Sequence, residues 1–212
     1  FMSKLDFVKK LYNGKNCYSD HMGESEIQLL HISSKAEDII IDMIAHGRIV
    51  FLTGNPGDGK TFIIKAVRHK IGEDVYIQTD LNNIKDYSEV VKDLITLHSQ
   101  KKPAIVAVNE YPFMQLCRQI RKESQTLYDE IQNAKRNVLT CDISSSLAGN
   151  VAVVDLNERN MLGADYDLLS DLIDKMVCLL EEDAKYNSAL NYNLTAFKND
   201  FVREQILSLF QL

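Results

Sequence analysis

The stretch FLTGNPGDGKTF, residues 51–62, sets three glycines and one proline between an apolar stub and a lysine–threonine pair. Gly54, Gly59, Lys60 and Thr61 complete G-x-x-x-x-G-K-[ST], the phosphate-binding P-loop, also called Walker A. Glycines let the backbone curl so that successive N–H groups converge on a phosphate with no Cβ atoms in the way. A helix that begins at such a loop adds the positive end of its dipole. On this reading the phosphates would lie against Gly54, Asn55, Pro56, Gly57, Asp58 and Gly59, followed by Lys60, Thr61 and Phe62 of the first helical turn. Lys60 would reach the β- and γ-phosphates, and the Thr61 hydroxyl would ligate Mg²⁺.

The flanks have the pattern such a loop needs. Ahead of it, RIVFLTG is a short β-branched and aromatic run bounded by glycine, which reads as a buried strand. Behind it, Phe62, Ile63, Ala66, Val67 and Ile71 recur at helical spacing until Gly72. Upstream, Ser34 followed by Glu37 is a capping-box pattern, and Ile39, Ile40, Met43 and Ile44 continue it as an apolar stripe that stops at Gly47. Downstream the alternation repeats, with VYIQTD as a strand, SEVVKDLITLHS as a helix and AIVAVNE as a second fully apolar strand. A long helical segment, broken or continuous, spans Tyr111 to Arg136, and VAVVDLN supplies another buried strand. Strands that are apolar on both faces and alternate with helices predict an α/β fold, a three-layer αβα P-loop NTPase core with a mainly parallel sheet.

Beyond the last strand, Leu168, Leu169, Leu172, Ile173, Met176, Val177 and Leu180 form a helical stripe. A final amphipathic helix is expected from Thr195 onward, with the polar EEDAKYNSALNYN as a hinge before it. The expected organisation is therefore an N-terminal arm over 1–33, a core over 34–180 and a helical C-terminal segment over 181–212, the start of a lid or of a further domain.

Binding a nucleotide is not hydrolysing it, which also needs a group on the metal shell and one that orients or deprotonates water. The run IVAVNE places Asn109 and Glu110 at the C-terminal end of a strand, where ligands of parallel sheets bind. The run is similar to a Walker B motif, whose usual ending is Asp-Glu. Asn109 can still accept a hydrogen bond from a metal-bound water but lacks the carboxylate charge. Glu110 is the expected water-activating base. A rival assignment takes Asp155 as the carboxylate and Glu158 as the base, and the extra strand–helix unit separating them from Lys60 argues against it. With Glu110 as base, Asn157 falls just past the following strand, and Arg159, two residues on, is either a surface arginine or a group that stabilises γ-phosphate charge in its own or a neighbouring subunit.

The whole-chain totals narrow the classes. The 212 residues carry a net charge of −6 with 45% hydrophobic content, so a globular domain is expected and a surface basic all round is excluded. Arg118 with Arg121 and Lys122, and Lys135 with Arg136, are the densest basic patches; Glu123, Asp129 and Glu130 among them suggest a solvated helix face, with a nucleic-acid contact as the alternative. Cys17, Cys117, Cys141 and Cys178 show no zinc or disulfide spacing. No apolar run approaches the roughly 18 residues of a membrane helix, and FMSKLDFVKK lacks the apolar core of a signal peptide, so the expectation is a cytoplasmic chain with no membrane partner.

GNPGDGKT, then AVNE, then VVDLNER, in this order, resemble the AAA+ and STAND-like branch of P-loop ATPases. More narrowly, the Asn-Glu ending and the LNER after the next strand resemble the ATPase component of DNA-phosphorothioation-dependent restriction systems and related phage-defence ATPases. The resemblance covers residues 34 to about 160. It implies ATP and Mg²⁺ as cofactors, probable hydrolysis coupled to conformational change, and assembly with other protein subunits or with itself; DNA would be met only through a wider complex. In that branch Asn157 corresponds to the polar sensor residue and Arg159 to an arginine finger. The residues after Gly163 are short for core completion plus a helical lid, which suggests an N-terminal piece of a larger protein or a minimal core. The alternative is a nucleotide-binding switch or scaffold, with Asn109 weakening metal binding. The absence of an Asn/Thr-Lys-x-Asp sequence favours ATP over GTP.

Overall fold

The computed structural model describes residues 3–14, 22–79, 81, 84–139, 149–158 and 168–210. The chain divides into two compact units, Ser33–Arg159 and, discontinuous in sequence, Phe1–Ile32 with Asn160–Leu212.

The Ser33–Arg159 unit is α/β. Helix α3 (Lys35–Ala45) leads into β1 (Ile49–Thr53), followed by α4 (Lys60–Val67), β2 (Tyr76–Gln78), α5 (Ser88–Gln100) and β3 (Ala104–Val108). Helices α6 (Glu110–Glu123) and α7 (Gln125–Leu139) then lead to β4 (Val151–Asp155) and a 3-10 turn over Leu156–Glu158. The four strands form one all-parallel sheet in the order β2-β3-β1-β4.

Every residue of β1 and β3 is buried, which explains why both strands read as unbroken apolar runs instead of alternating ones. On one face Phe51, Val106 and Val108 pack against Leu94 of α5, Leu116 and Ile120 of α6 and Leu127 and Ile131 of α7. On the other, Val50, Leu52 and Ile105 pack against Ile40 and Ile44 of α3 and Ile63 and Val67 of α4. Right-handed crossovers account for this division. From β1 to β2 the chain moves one way along the sheet, and from β2 through β3 to β4 it moves back, so α4 lies on the opposite face from α5, α6 and α7. The chain therefore leaves β1 and its neighbour β3 toward opposite faces, which opens a crevice at their C-terminal ends.

The segment from Tyr111 to Arg136 is two helices. Ser124 ends α6 through its N–H to Ile120 O (2.7 Å), and its hydroxyl accepts from Leu127 N (3.3 Å) at the start of α7. Ser34 is the N-cap of α3, but its hydroxyl caps no backbone N–H and instead donates to Glu37 Oε1 at 3.3 Å.

The other unit contains α1 (Lys4–Tyr12), α2 (Glu24–Leu30), α8 (Leu168–Ala184), α9 (Ser188–Phe197) and α10 (Asp200–Phe210). Ile173, Val177 and Leu180 of α8 pack with Leu194, and Leu5 and Val8 of α1 lie against this cluster. Leu5 N donates to the Asp183 carboxylate at 2.6 Å. Two expectations change here. Much of the polar stretch read as a hinge is helix α9, because Asn187 caps it by accepting from Leu190 N (3.0 Å) and Leu190 and Leu194 meet the cluster. The final helix begins at Asp200, where the Asn199 side chain accepts from Val202 N at 3.2 Å. Among the described residues, no helix is long and apolar enough to cross a membrane.

Phe51 has no exposed surface, and its ring centroid lies 5.1 Å from that of Phe113. Phe51→Ala is expected to destabilise the Ser33–Arg159 unit by about 3–5 kcal/mol in urea unfolding. Ile39→Ala, at a site 47% exposed, should cost less than about 1 kcal/mol.

Candidate functional site

In-register pairing makes the ends of three strands flush: Thr53 lies opposite Val108 on one side and opposite Asp155 on the other. The glycine loop that leaves β1 therefore runs between Asn109 and Glu110, which follow β3, and Asp155, which ends β4. This is the C-terminal crevice created by the reversal of winding.

The loop uses its glycines for backbone shape. Gly54, Gly57 and Gly59 have φ of +146°, +96° and +84°. At Gly54 there is also no room, since a Cβ would stand 2.6 Å from Asp58 Oδ2 and 3.3 Å from Leu156 Cβ. The turn is closed by Asn55 N, which donates to the Asp58 carboxylate, and by Asp58 N, which donates to Asn55 O at 3.3 Å. Gly59 then starts α4 without a side-chain cap, so the first turn of that helix directs backbone N–H groups into the loop. Pro56 and Gly57 are exposed at the loop's crest, and Thr61 and Phe62 are half-buried in the first helical turn.

Lys60 folds back across the loop, its Nζ donating to Gly54 O at 2.9 Å and Asn55 O at 2.7 Å. Burial pulls its pKa below that of an ordinary lysine, and the charges of Asp58 and Asp155 oppose the shift. An ammonium held by carbonyls in this way is a positive charge poised at the loop and available to an anion.

Asn157 joins the loop to Glu110. Its Oδ1 accepts from Asn55 Nδ2 at 2.7 Å, its Nδ2 donates to Glu110 Oε1 at 3.2 Å, and its backbone N donates to Asp155 Oδ1 at 3.0 Å. Glu110 is the exposed first residue of α6, where the helix dipole favours its negative charge. Asn109, half-buried, is the N-cap of the same helix. The structure thus brings Asn55, Lys60, Glu110 and Asn157 of the sequence-predicted set into one contiguous group. Arg159 lies outside the described residues.

Asp155 is the residue that sequence spacing undervalued. The extra strand–helix unit separating it from Lys60 puts no distance between them in space, because β3 and β4 are both direct neighbours of β1. Asp155 brings a carboxylate to the flank opposite the neutral Asn109. Thr61 in α4, Asn109 and Asp155 are the oxygen-bearing side chains at this edge of the sheet that could hold a divalent cation. Beside them lies a pocket of about 480 Å³ lined by Thr53, Glu110, Asp155 and Lys135 and by Tyr111, Phe113, Met114 and Val153, with the Lys135 ammonium over the Phe113 ring. Comparison of the chain with protein-family models, curated proteins and solved structures finds no match.

The conformational demand at Gly54 gives a direct check. Gly54→Ala should lower the unfolding free energy by about 1–3 kcal/mol through its positive φ and its close neighbours. Gly72→Ala, where an added Cβ meets nothing within 4 Å, should change it by no more than about 0.5 kcal/mol.

Proposed function

We propose that the Ser33–Arg159 unit is a P-loop nucleoside triphosphatase that binds and hydrolyses Mg-ATP. The observation that carries this reading is Lys60: its ammonium is held by loop carbonyls in a strand-to-helix turn with three positive-φ glycines, in the C-terminal crevice of a parallel sheet. In the proposed complex Lys60 turns from Gly54 O and Asn55 O to the β- and γ-phosphates, while the loop N–H groups hold the phosphate chain. The Thr61 hydroxyl, Asn109 and Asp155 are the groups that would hold Mg²⁺, which would neutralise phosphate charge when bound. Glu110 takes the proton of the attacking water, and Asn157, hydrogen-bonded to both Glu110 and Asn55, aligns that water against the γ-phosphate.

The alternative, a nucleotide-binding switch with little turnover, drew its support from the missing charge at Asn109. Asp155 weakens that argument, because it provides a carboxylate on the other flank of the same loop. The narrower reading, an ATPase of the AAA+/STAND-like branch serving DNA restriction or antiviral defence in assembly with other subunits, rests on the order of GNPGDGKT, AVNE and VVDLNER alone.

Phosphate release with Mg-ATP tests the proposal. Wild type should turn over, and Glu110→Gln should bind ATP within about threefold of wild type while losing about 10²–10⁴ of the rate expected from a positioned general base. Binding by both proteins with turnover by neither would reject hydrolysis and leave the switch.

A further inference from the structure

Helix α6 carries a second constellation. Tyr111, Gln115, Arg118 and Lys122 follow one another at intervals of three or four residues, so they share one face of the helix. Lys85 and Tyr87, from the segment before α5, form the facing wall. With Gln119 and Arg121 they line a groove of about 660 Å³. Gln119 Nε2 donates to Ser88 Oγ at 2.8 Å, which ties the two walls together. Tyr111 is 67% exposed, and Tyr87 is half-buried with its hydroxyl donating to Leu81 O at 3.4 Å. Arg121 lies over the ring of Tyr128, 5.4 Å from its centroid.

Mixed charge along this stretch suggested a solvated helix face, and Arg118, Arg121, Lys122 and Glu123 are all exposed; within that face the cations gather in the groove. Four cations, Lys85, Arg118, Arg121 and Lys122, line the groove and no carboxylate does. Glu130 is engaged with His98 (3.1 Å) and Asn150 N (3.2 Å), and Asp129 accepts from Gln125. Asp86, beside Lys85 in sequence, accepts from Ser88 N and Oγ at 2.9 and 2.6 Å at the start of α5 and also meets the Gln119 side chain at the groove. Among the described residues none of the four cations forms an ion pair, whereas Lys185, Lys198 and Arg203 each do. Four exposed cations that line one groove and form no ion pair, in a chain of net charge −6, offer a local positive field to a polyanion.

We propose that this groove binds single-stranded nucleic acid. The cations take successive backbone phosphates, and Tyr111 offers its ring face to an unpaired base, the combination by which sequence-tolerant single-strand sites work. A duplex hides its base faces from such a ring, and an acidic peptide has none to offer. The groove holds no residue of the glycine loop, but it meets the pocket beside Glu110 at Tyr111, which lines both.

Fluorescence anisotropy of labelled oligo-dT and oligo-U of about 20 nucleotides, titrated with the intact chain in the absence of ATP, tests the proposal. Saturable binding is expected, weakening about 50-fold between about 50 and 200 mM NaCl if four phosphates are neutralised. Arg118→Ala with Lys122→Ala, both exposed and distant from the core, should reduce the salt slope by about 1.4 and the affinity at least about tenfold. Tyr111→Ala should weaken binding roughly tenfold, and Tyr111→Phe should retain it. Lys60→Ala should bind the oligonucleotides as wild type does, which keeps this outcome apart from the fate of the ATPase reading. The proposal is overturned by no anisotropy change, by unaltered affinity in the double variant, by tighter binding of a duplex of equal length, or by equal competition from polyglutamate.

Discussion

The hydrogen bonds from the Lys60 ammonium to Gly54 O and Asn55 O organise the C-terminal edge of the sheet. They require the backbone between Thr53 and Lys60 to fold over itself, which it does through three glycines at positive φ. Asp58 secures the fold-back by accepting from Asn55 N, and Asn55 in turn reaches Asn157 on the far side of β1. From Asn157 the contacts continue to Glu110 and Asp155. The side chains of the site are thus tied into one group whose anchor is the shape of the loop, and the loop keeps that shape because β1 is clamped between two neighbours.

That clamping also sets the electrostatics. A lysine partly removed from water holds its proton less tightly, and here two carboxylates oppose that shift, one inside the loop and one at the end of β4. The charge that an aspartate after β3 would have supplied comes from the opposite flank. Because three strands end at the same level, the amide of Asn109 and the carboxylate of Asp155 stand on opposite flanks of the same loop.

Much of this was legible in the chain itself. Gly54, Gly59, Lys60 and Thr61 announce the loop, and the five-residue apolar runs at 49–53 and 104–108 announce strands buried on both faces. Helical periodicity located α3 to α5 and α8 for the same reason: local spacing records which faces are buried. Strand order is not a local property, so nothing in the spacing of Asp155 revealed that β4 lies against β1 as closely as β3 does. The joining of Lys85 and Tyr87 to the cationic face of α6 is likewise long-range. Asn187 and Asn199 were read as polar hinge and as helix interior, although both act as caps, because the apolar residues that make α9 a helix, Leu190 and Leu194, stand among polar neighbours.

Equilibrium titration of Mg-ATP into wild type and into Lys60→Ala, followed by calorimetry, tests the central claim most directly. The account predicts saturable binding at one site in wild type and a loss of about 100-fold or more in affinity when the ammonium is removed, since charge-assisted contacts to two phosphates go with it. Equal affinity in the two proteins would contradict it.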